Sequence, residues 1–284
     1  MTGGMSGIAT PSGKNASTEN FPVGSALIRA DLRPHVHAFY RFARMGDDIA
    51  DNASLSPEDK VARLDLMEEV LLDPMREDIV QAADLRRSLA ATRVSPVNST
   101  DLLKAFRMDA TKQRYANWDE LMTYCRYSAA PVGRQLLDLH DEPQAARGPS
   151  DALCAALQVI NHLQDCGIDY LEMDRAYVPQ DHLSARHVET RDLSARVSSA
   201  GMRQVLNDLL DKTDTLMVEA RLLPGRLKDF RLRAESATIV RLADKMIGQL
   251  RWNDPLAARV KPTKLFFVTA MMEGVVWALM ARRR

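Results

Sequence analysis

"FYRFARMGDDIAD", residues 39–51, sets Asp47, Asp48 and Asp51 directly behind an apolar run and an arginine. Three like charges this close repel one another unless something positive sits among them. Asp47 and Asp51 are four positions apart, so on a helix they share one face, about 6 Å apart along the axis, while Asp48 points to the side. A second stretch, "LQVINHLQDCGIDY" (residues 157–170), repeats the pattern. There Gln158, Asn161, Asp165 and Asp169 fall along one helical face, and Leu153, Leu157, Ile160 and Leu163 flank it with apolar side chains. Each segment reads as a largely apolar helix carrying one polar stripe.

Two readings follow. An aspartate stripe on a helix is commonly a solvated face. The neighbours here, "AFYRFARM" and "ALQVINHL", have the character of buried residues, and buried carboxylates must be paired or must coordinate a metal. Carboxylates with an amide oxygen suit a hard cation such as Mg²⁺, which shares its oxygen ligands with phosphate. Two facing helices with these stripes would hold a Mg²⁺ cluster, and the cluster would hold a diphosphate. That supplies the positive charge the first stretch lacks.

The rest of the chain supports an all-α fold. Strand signals are nearly absent. Ser56 and Pro57 open a helix with Val61, Leu64, Met67 and Leu71 at helical spacing. Asn117 and Glu120 form a capping-box pattern, and Pro131 breaks the run that follows. Further helices are expected from Ser150 to Met173, from about Gly201 to Leu223 before Pro224–Gly225, from about Asp229 to Arg251, and after Pro262. No break resembles a domain linker, and no repeat is visible.

The 284 residues allow one large domain or two small ones, and with 46% apolar residues a sizeable core is available. Acidic and basic residues balance at 38 each, so no net field draws the protein to nucleic acid. Cys125, Cys154 and Cys166 lack metal-ligand spacing and fit a reducing cytosol. Residues 1–17 read as a disordered lead without the apolar core of a signal peptide. Residues 265–281 are strongly apolar but short of the roughly 20 needed to span a bilayer, and Glu273 lies in their middle. They read as a buried C-terminal helix, with the closing "ARRR" able to hold the protein near anionic lipid.

Four ordered motifs resemble the squalene and phytoene synthases. Asp47 to Asp51, preceded by Arg44, match the first aspartate motif of that family, and Gln158, Asn161, Asp165 and Asp169 match the second. "YCRYSAAPVG" (124–133) matches its Tyr-Cys segment, and "ENF" (19–21) its short polar segment. The resemblance spans residues 18–265. One departure is Ile168, where the second motif commonly carries Glu before its last Asp.

The resemblance implies a single all-helical bundle of the isoprenoid-synthase type around a central cavity, over residues 18–284. It implies Mg²⁺ as cofactor, held by Asp47, Asp51, Asn161, Asp165 and Asp169. It implies a catalytic role for Tyr124, and substrate contacts from Asn20, Tyr40, Arg44, Asp48, Asp109, Gln158, Arg175 and Tyr177. The motifs look most like a bacterial branch that converts the C30 compound presqualene diphosphate and water to hydroxysqualene and diphosphate. That branch uses no nicotinamide, and no nucleotide-binding glycine motif appears here. Such an enzyme is expected in the bacterial cytoplasm, with peripheral contact to the inner membrane and a neighbouring presqualene diphosphate synthase as further expectations. Two alternatives within the family stay open: head-to-head condensation of two prenyl diphosphates, and a non-catalytic helical assembly factor. An unrelated helical scaffold is the third. His162 beside Asn161 reads as a helix-surface residue, and the 14 methionines mostly as core.

Overall fold

A computed structural model describes residues 28–280. The expected N-terminal lead, Asn20 with its "ENF" segment, and the closing arginines lie outside the described residues.

The described chain is helical: α1 (Arg33–Ala50), α2 (Pro57–Leu72), α3 (Val80–Thr92), α4 (Val97–Thr111), α5 (Trp118–Ser128), α6 (Ala130–Leu139), α7 (Arg147–Met173), α8 (Gln180–Ala185), α9 (Ala200–Ala220), α10 (Leu223–Arg226), α11 (Phe230–Trp252) and α12 (Lys264–Met280). Local sequence explains several boundaries. The Ser56 hydroxyl accepts from Asp59 N–H with Pro57 at the first helical position. Asn117 Oδ1 caps α5 by accepting from Glu120 N–H at 2.9 Å, while the Glu120 carboxylate reaches back to Ala116 N–H at 2.5 Å. Pro131 ends the helical run at Ala129, separating α5 from α6.

Two boundaries differ from the sequence expectation. α7 begins at Arg147, so Ser150 lies buried inside the helix rather than opening it. α9 stops at Ala220, and Pro224 and Gly225 belong to the short α10. Proline at an early helical position starts a turn as readily as it ends one.

Two large apolar cores form among the described residues, beside a small cluster where Ala278 meets Ala234 and Ala237. One gathers Phe39, Phe42 and Ile49 of α1 with α2, α3 and α4. The other gathers Leu153, Val159, Ile160 and Leu163 of α7 with α5, α9 and α11. A cavity of about 370 Å³ lies on the seam between them. Its wall is mostly apolar: Val36 and Phe39 come from α1, Leu137 from α6, Leu153 and Leu157 from α7, and Leu232 from α11. α12 lies antiparallel on α11, joined by Lys245 to Glu273 at 2.8 Å and by Arg241 stacked over Trp277 at 4.8 Å.

Candidate active site

α1 and α7 face each other across the cavity. Tyr40 and Ala43 line it from α1, and Gln158 and Asn161 line it from α7. Each helix continues one turn further into its aspartates.

On α1, Arg44 is the positive charge among the three acids. Its Nη1 lies 2.9 Å from Asp47 Oδ2, and its Nη2 lies 2.6 Å from Asp48 Oδ1. Asp48, read from spacing as pointing sideways, is the more buried of the two, at 11% side-chain exposure against 37%. Asp51 caps the helix in helical backbone geometry, which keeps it on the Asp47 face. Gly46 has a packing reason: a Cβ there would meet the Phe106 ring at 2.6 Å. Hydrogen in place of a side chain lets α4 close on α1. α4 also carries Asp109, one turn past Phe106.

Asp109 is the hub of a buried network. Tyr124 Oη donates to its Oδ2 at 2.8 Å, and Tyr177 Oη donates to its Oδ1 at 2.9 Å. Arg175 donates to the Asp109 carbonyl at 3.0 Å and to Asp51 Oδ1 at 2.9 Å. Arg175 and Tyr177 alternate along an extended segment, so both point the same way. That segment is fixed by a bridge between Arg114 and Ala176, with Ala176 N–H bonded to Gln113 O at 2.9 Å. Burial pushes the Asp109 carboxyl up to about 6, with the Arg175 charge and the two tyrosine hydroxyls opposing the shift. Burial also pushes both tyrosine hydroxyls well above their usual range. On Arg175 burial acts to lower the pKa, but the charges of Tyr177, Asp109 and Asp51 outweigh it and keep the guanidinium protonated.

His162 is a correction to the sequence reading. It is buried, not on the surface, and its ring stacks on Tyr177 with centroids 3.5 Å apart and planes 15° apart. Burial, with the Arg175 charge adding to it, lowers its pKa to about 3, so the imidazole is neutral. A histidine at that position gives no sign in the sequence of what will pack on it, since Tyr177 arrives from a different segment.

On α7, Asp165 meets a residue that sequence reasoning missed. Arg259, in the segment between α11 and α12, donates from Nη2 to Asp165 Oδ2 at 2.6 Å, and its Nε lies 2.5 Å from Oδ1. Oδ1 is buried, and the ion pair with Nε is its contact, since no well-aligned hydrogen bond reaches it. Gln164 donates to Val260 O at 2.5 Å, and a Cβ on Gly167 would meet Leu256 at 3.0 Å. The 253–263 segment is thus seated on the second aspartate motif. Read from sequence it was only a helix break, because nothing local marks its docking partner. Asn161 and Asp169 are half-buried on the same helix, and Ile168, at the departure from the family pattern, is exposed. Lys60 of α2 also feels the network: burial and the Arg175 charge lower its pKa against the pull of Asp51 and Asp109.

Among the described residues, no three His, Cys, Asp or Glu side chains stand together as a ready metal site. Arginines occupy the acids instead: Arg44 on Asp47, Arg175 on Asp51, and Arg259 on Asp165. The donors still fit a hard cation. All are oxygens, they are half-buried, and Asp165 Oδ1 has unused capacity in the interior.

Comparison with known proteins agrees with this architecture. The family model for squalene/phytoene synthase matches residues 14–265. A hydroxysqualene synthase of Sinorhizobium fredii is 49% identical over 242 residues, covering 85% of this chain and 82% of that protein. A hydroxysqualene synthase of Rhodopseudomonas palustris is 45% identical over 259 residues, covering 91% and 88%. Among solved structures, squalene synthase HpnC from Alicyclobacillus acidocaldarius superimposes with a TM-score of 0.73 at 30% identity, covering 81% of this chain and 87% of that one. A dehydrosqualene synthase bound to a ligand superimposes with a TM-score of 0.80 at 21% identity, which speaks for the fold. With its two aspartate stripes, its cavity and a match across most of its length, the chain belongs to the squalene/phytoene synthase family.

Proposed function

We propose that this enzyme ionises presqualene diphosphate, rearranges the resulting cation and captures it with water, releasing hydroxysqualene and diphosphate. The observation that carries this is the cavity: an apolar chamber between α1 and α7 whose lining reaches Ala43 and Asn161, one helical turn before Asp47 and Asp165. An apolar tail fits the chamber and a diphosphate fits its charged end. Relatives 49% and 45% identical that carry the name hydroxysqualene synthase support the same choice.

In this reading Arg44 turns from Asp47 and Asp48 to the diphosphate, and Tyr40 and Gln158 hold the substrate where the chamber meets its charged end. Asn20 is assigned there by resemblance. Magnesium held by Asp47, Asp51, Asn161, Asp165 and Asp169 would supply Lewis-acid stabilisation of the leaving group. Asp109 fixes the two hydroxyls of Tyr124 and Tyr177, and Arg175 locks that pair to Asp51. The Tyr124 ring offers a π-face to the carbocation, and its hydroxyl orients a proton or water. Mostly apolar walls keep bulk water from the cation until rearrangement is complete.

Substrate and product each carry a C30 hydrocarbon skeleton, so we place the enzyme in the bacterial cytoplasm against a membrane surface, beside the enzyme that makes presqualene diphosphate. No helix of the described residues is long and apolar enough to cross a membrane. α12 exposes Leu265, Met272, Val276 and Leu279 at 53–71%. Trp252, at the end of α11, is 90% exposed. Three arginines follow at positions 282–284 in the sequence. An apolar face with a tryptophan and cations suits an anionic lipid interface.

The test is incubation of the purified protein with Mg²⁺ and presqualene diphosphate, with the lipid product identified. Hydroxysqualene formed without NADPH is expected. Squalene formed only with NADPH, or condensation of two prenyl diphosphates without turnover of presqualene diphosphate, would overturn the reading.

A further inference from the structure

Three helices carry the cavity wall one turn beyond its apolar part. On α1 the lining residue Ala43 is followed four positions later by Asp47; on α7 Gln158 is followed by His162; on α5 Ser128 is preceded by Tyr124. One turn beyond the lining therefore lie a buried imidazole and a buried phenol as well as carboxylates. His162 and Tyr124 are neighbours there, with ring centroids 5.9 Å apart, and both rings contact Tyr177.

Several polar atoms in and around this layer are left over, Tyr115 Oη and Arg175 Nε among them. His162 Nε2 and Ser128 Oγ are both buried and have no hydrogen-bond partner. A buried polar atom without a partner is costly, and such atoms in native proteins mark a bound water or a functional group. Stacking on Tyr177 holds the His162 ring in place, so its free nitrogen is fixed in direction. In either tautomer Nε2 offers a trapped water one hydrogen bond, as donor or as acceptor.

We infer that His162, through Nε2, holds the water molecule that captures the carbocation, and thereby makes the product an alcohol rather than a hydrocarbon. This rests on the proposed reaction. The C–O bond of the substrate breaks with its electron pair leaving on diphosphate. The cation rearranges, a lone pair of the held water forms the new C–O bond, and the water's proton passes to the departed diphosphate. Without an ordered water the cation instead loses a proton from an adjacent carbon and yields a hydrocarbon with one more double bond. His162 is then a positioning residue that acts on the water.

The experiment measures product partition from presqualene diphosphate in H₂¹⁸O for the wild type and for His162→Gln, His162→Asn and His162→Leu. The glutamine amide nitrogen reaches the place of Nε2, whereas asparagine reaches only that of Nδ1. The wild type and His162→Gln should give mostly ¹⁸O-labelled alcohol. In His162→Asn and His162→Leu the ratio of alcohol to hydrocarbon should fall about tenfold or more. If either retains the wild-type ratio, at whatever rate, His162 does not hold the water. Should His162→Leu fail to fold, the contrast between glutamine and asparagine decides. A wild type that forms no alcohol overturns the proposed reaction itself, and the wild-type reaction reports that separately from the variants.

Discussion

Arg175 Nη1 lies 2.9 Å from Asp51 Oδ1 across 124 residues of chain. The contact ties the end of the first aspartate motif to the segment that follows the second. Arg175 has 6% side-chain exposure and Asp51 27%. Through Nη2, Arg175 also holds the Asp109 carbonyl, and its Nη1 lies 3.9 Å from Asp109 Oδ1, so Asp51 at the end of α1 and Asp109 of α4 share one guanidinium.

Arg175→Leu should therefore destabilise the fold by about 3 kcal/mol, because removing one partner leaves buried carboxylates uncompensated. Arg175→Lys should fall between, since a single ammonium cannot span the contacts of a planar fork. Urea unfolding midpoints measure both. A leucine variant as stable as the wild type would show that Asp51 and Asp109 need no cation.

The Asp109 carboxyl is pushed from 3.8 up to about 6 in the folded chain, chiefly by burial. Below about pH 4 both folded and unfolded forms are protonated and the group costs nothing. Between there and about pH 6 the unfolded chain releases its proton while the folded one keeps it, so stability falls as pH rises. Above that window the whole cost is present, on the order of 3 kcal/mol. Asp109→Asn lacks this titration. The stability of the wild type relative to this variant should thus decline by about that amount between about pH 4 and pH 7. A difference that does not change with pH would mean that Asp109 titrates normally.

Much of this was legible in sequence wherever a signal is local. Ser56 with Pro57, Asn117 and Pro131 act on the backbone within a turn of themselves, and the helix boundaries appear there. The two aspartate stripes follow from helical spacing alone. What was not legible depends on segments meeting from afar. Arg259 looked like part of a loop because its partner Asp165 is 94 residues away. His162 looked like surface because Tyr177 reaches it from outside α7. The extra turn of α7 before Ser150 is held by packing, with Pro149 and Ser150 buried, and not by a capping residue.

The exposed face of α12 should act at a lipid surface. Replacing Leu265, Met272 and Leu279 together with glutamate should leave the melting temperature within about 1–2 °C, since exposed side chains contribute little to the core. Co-sedimentation with vesicles containing phosphatidylglycerol should drop, while turnover of detergent-dispersed substrate should persist. Undiminished vesicle binding would place the contact elsewhere.

Asp165→Asn keeps the side-chain shape and removes one charge. Loss of repulsion among clustered carboxylates would by itself leave stability without metal unchanged or higher. Arg259 changes that expectation, because it already neutralises Asp165 in a partly exposed pair, at 37% and 21% side-chain exposure. Such pairs contribute about 0–1 kcal/mol, so the metal-free variant should melt at the wild-type temperature or slightly below it. Function should suffer far more. If Asp165 is a metal ligand, the added stabilisation from Mg²⁺ with inorganic diphosphate should shrink, as it tracks the affinity of the folded state alone. Turnover should fall on the order of 10²-fold or more, in line with the loss of other groups that stabilise charge developing in a transition state. Thermal melts with and without Mg²⁺ and diphosphate, read beside turnover, separate the two effects. A variant with wild-type turnover and an undiminished melting shift would remove Asp165 from the metal site and leave it as the anchor of the Arg259 segment.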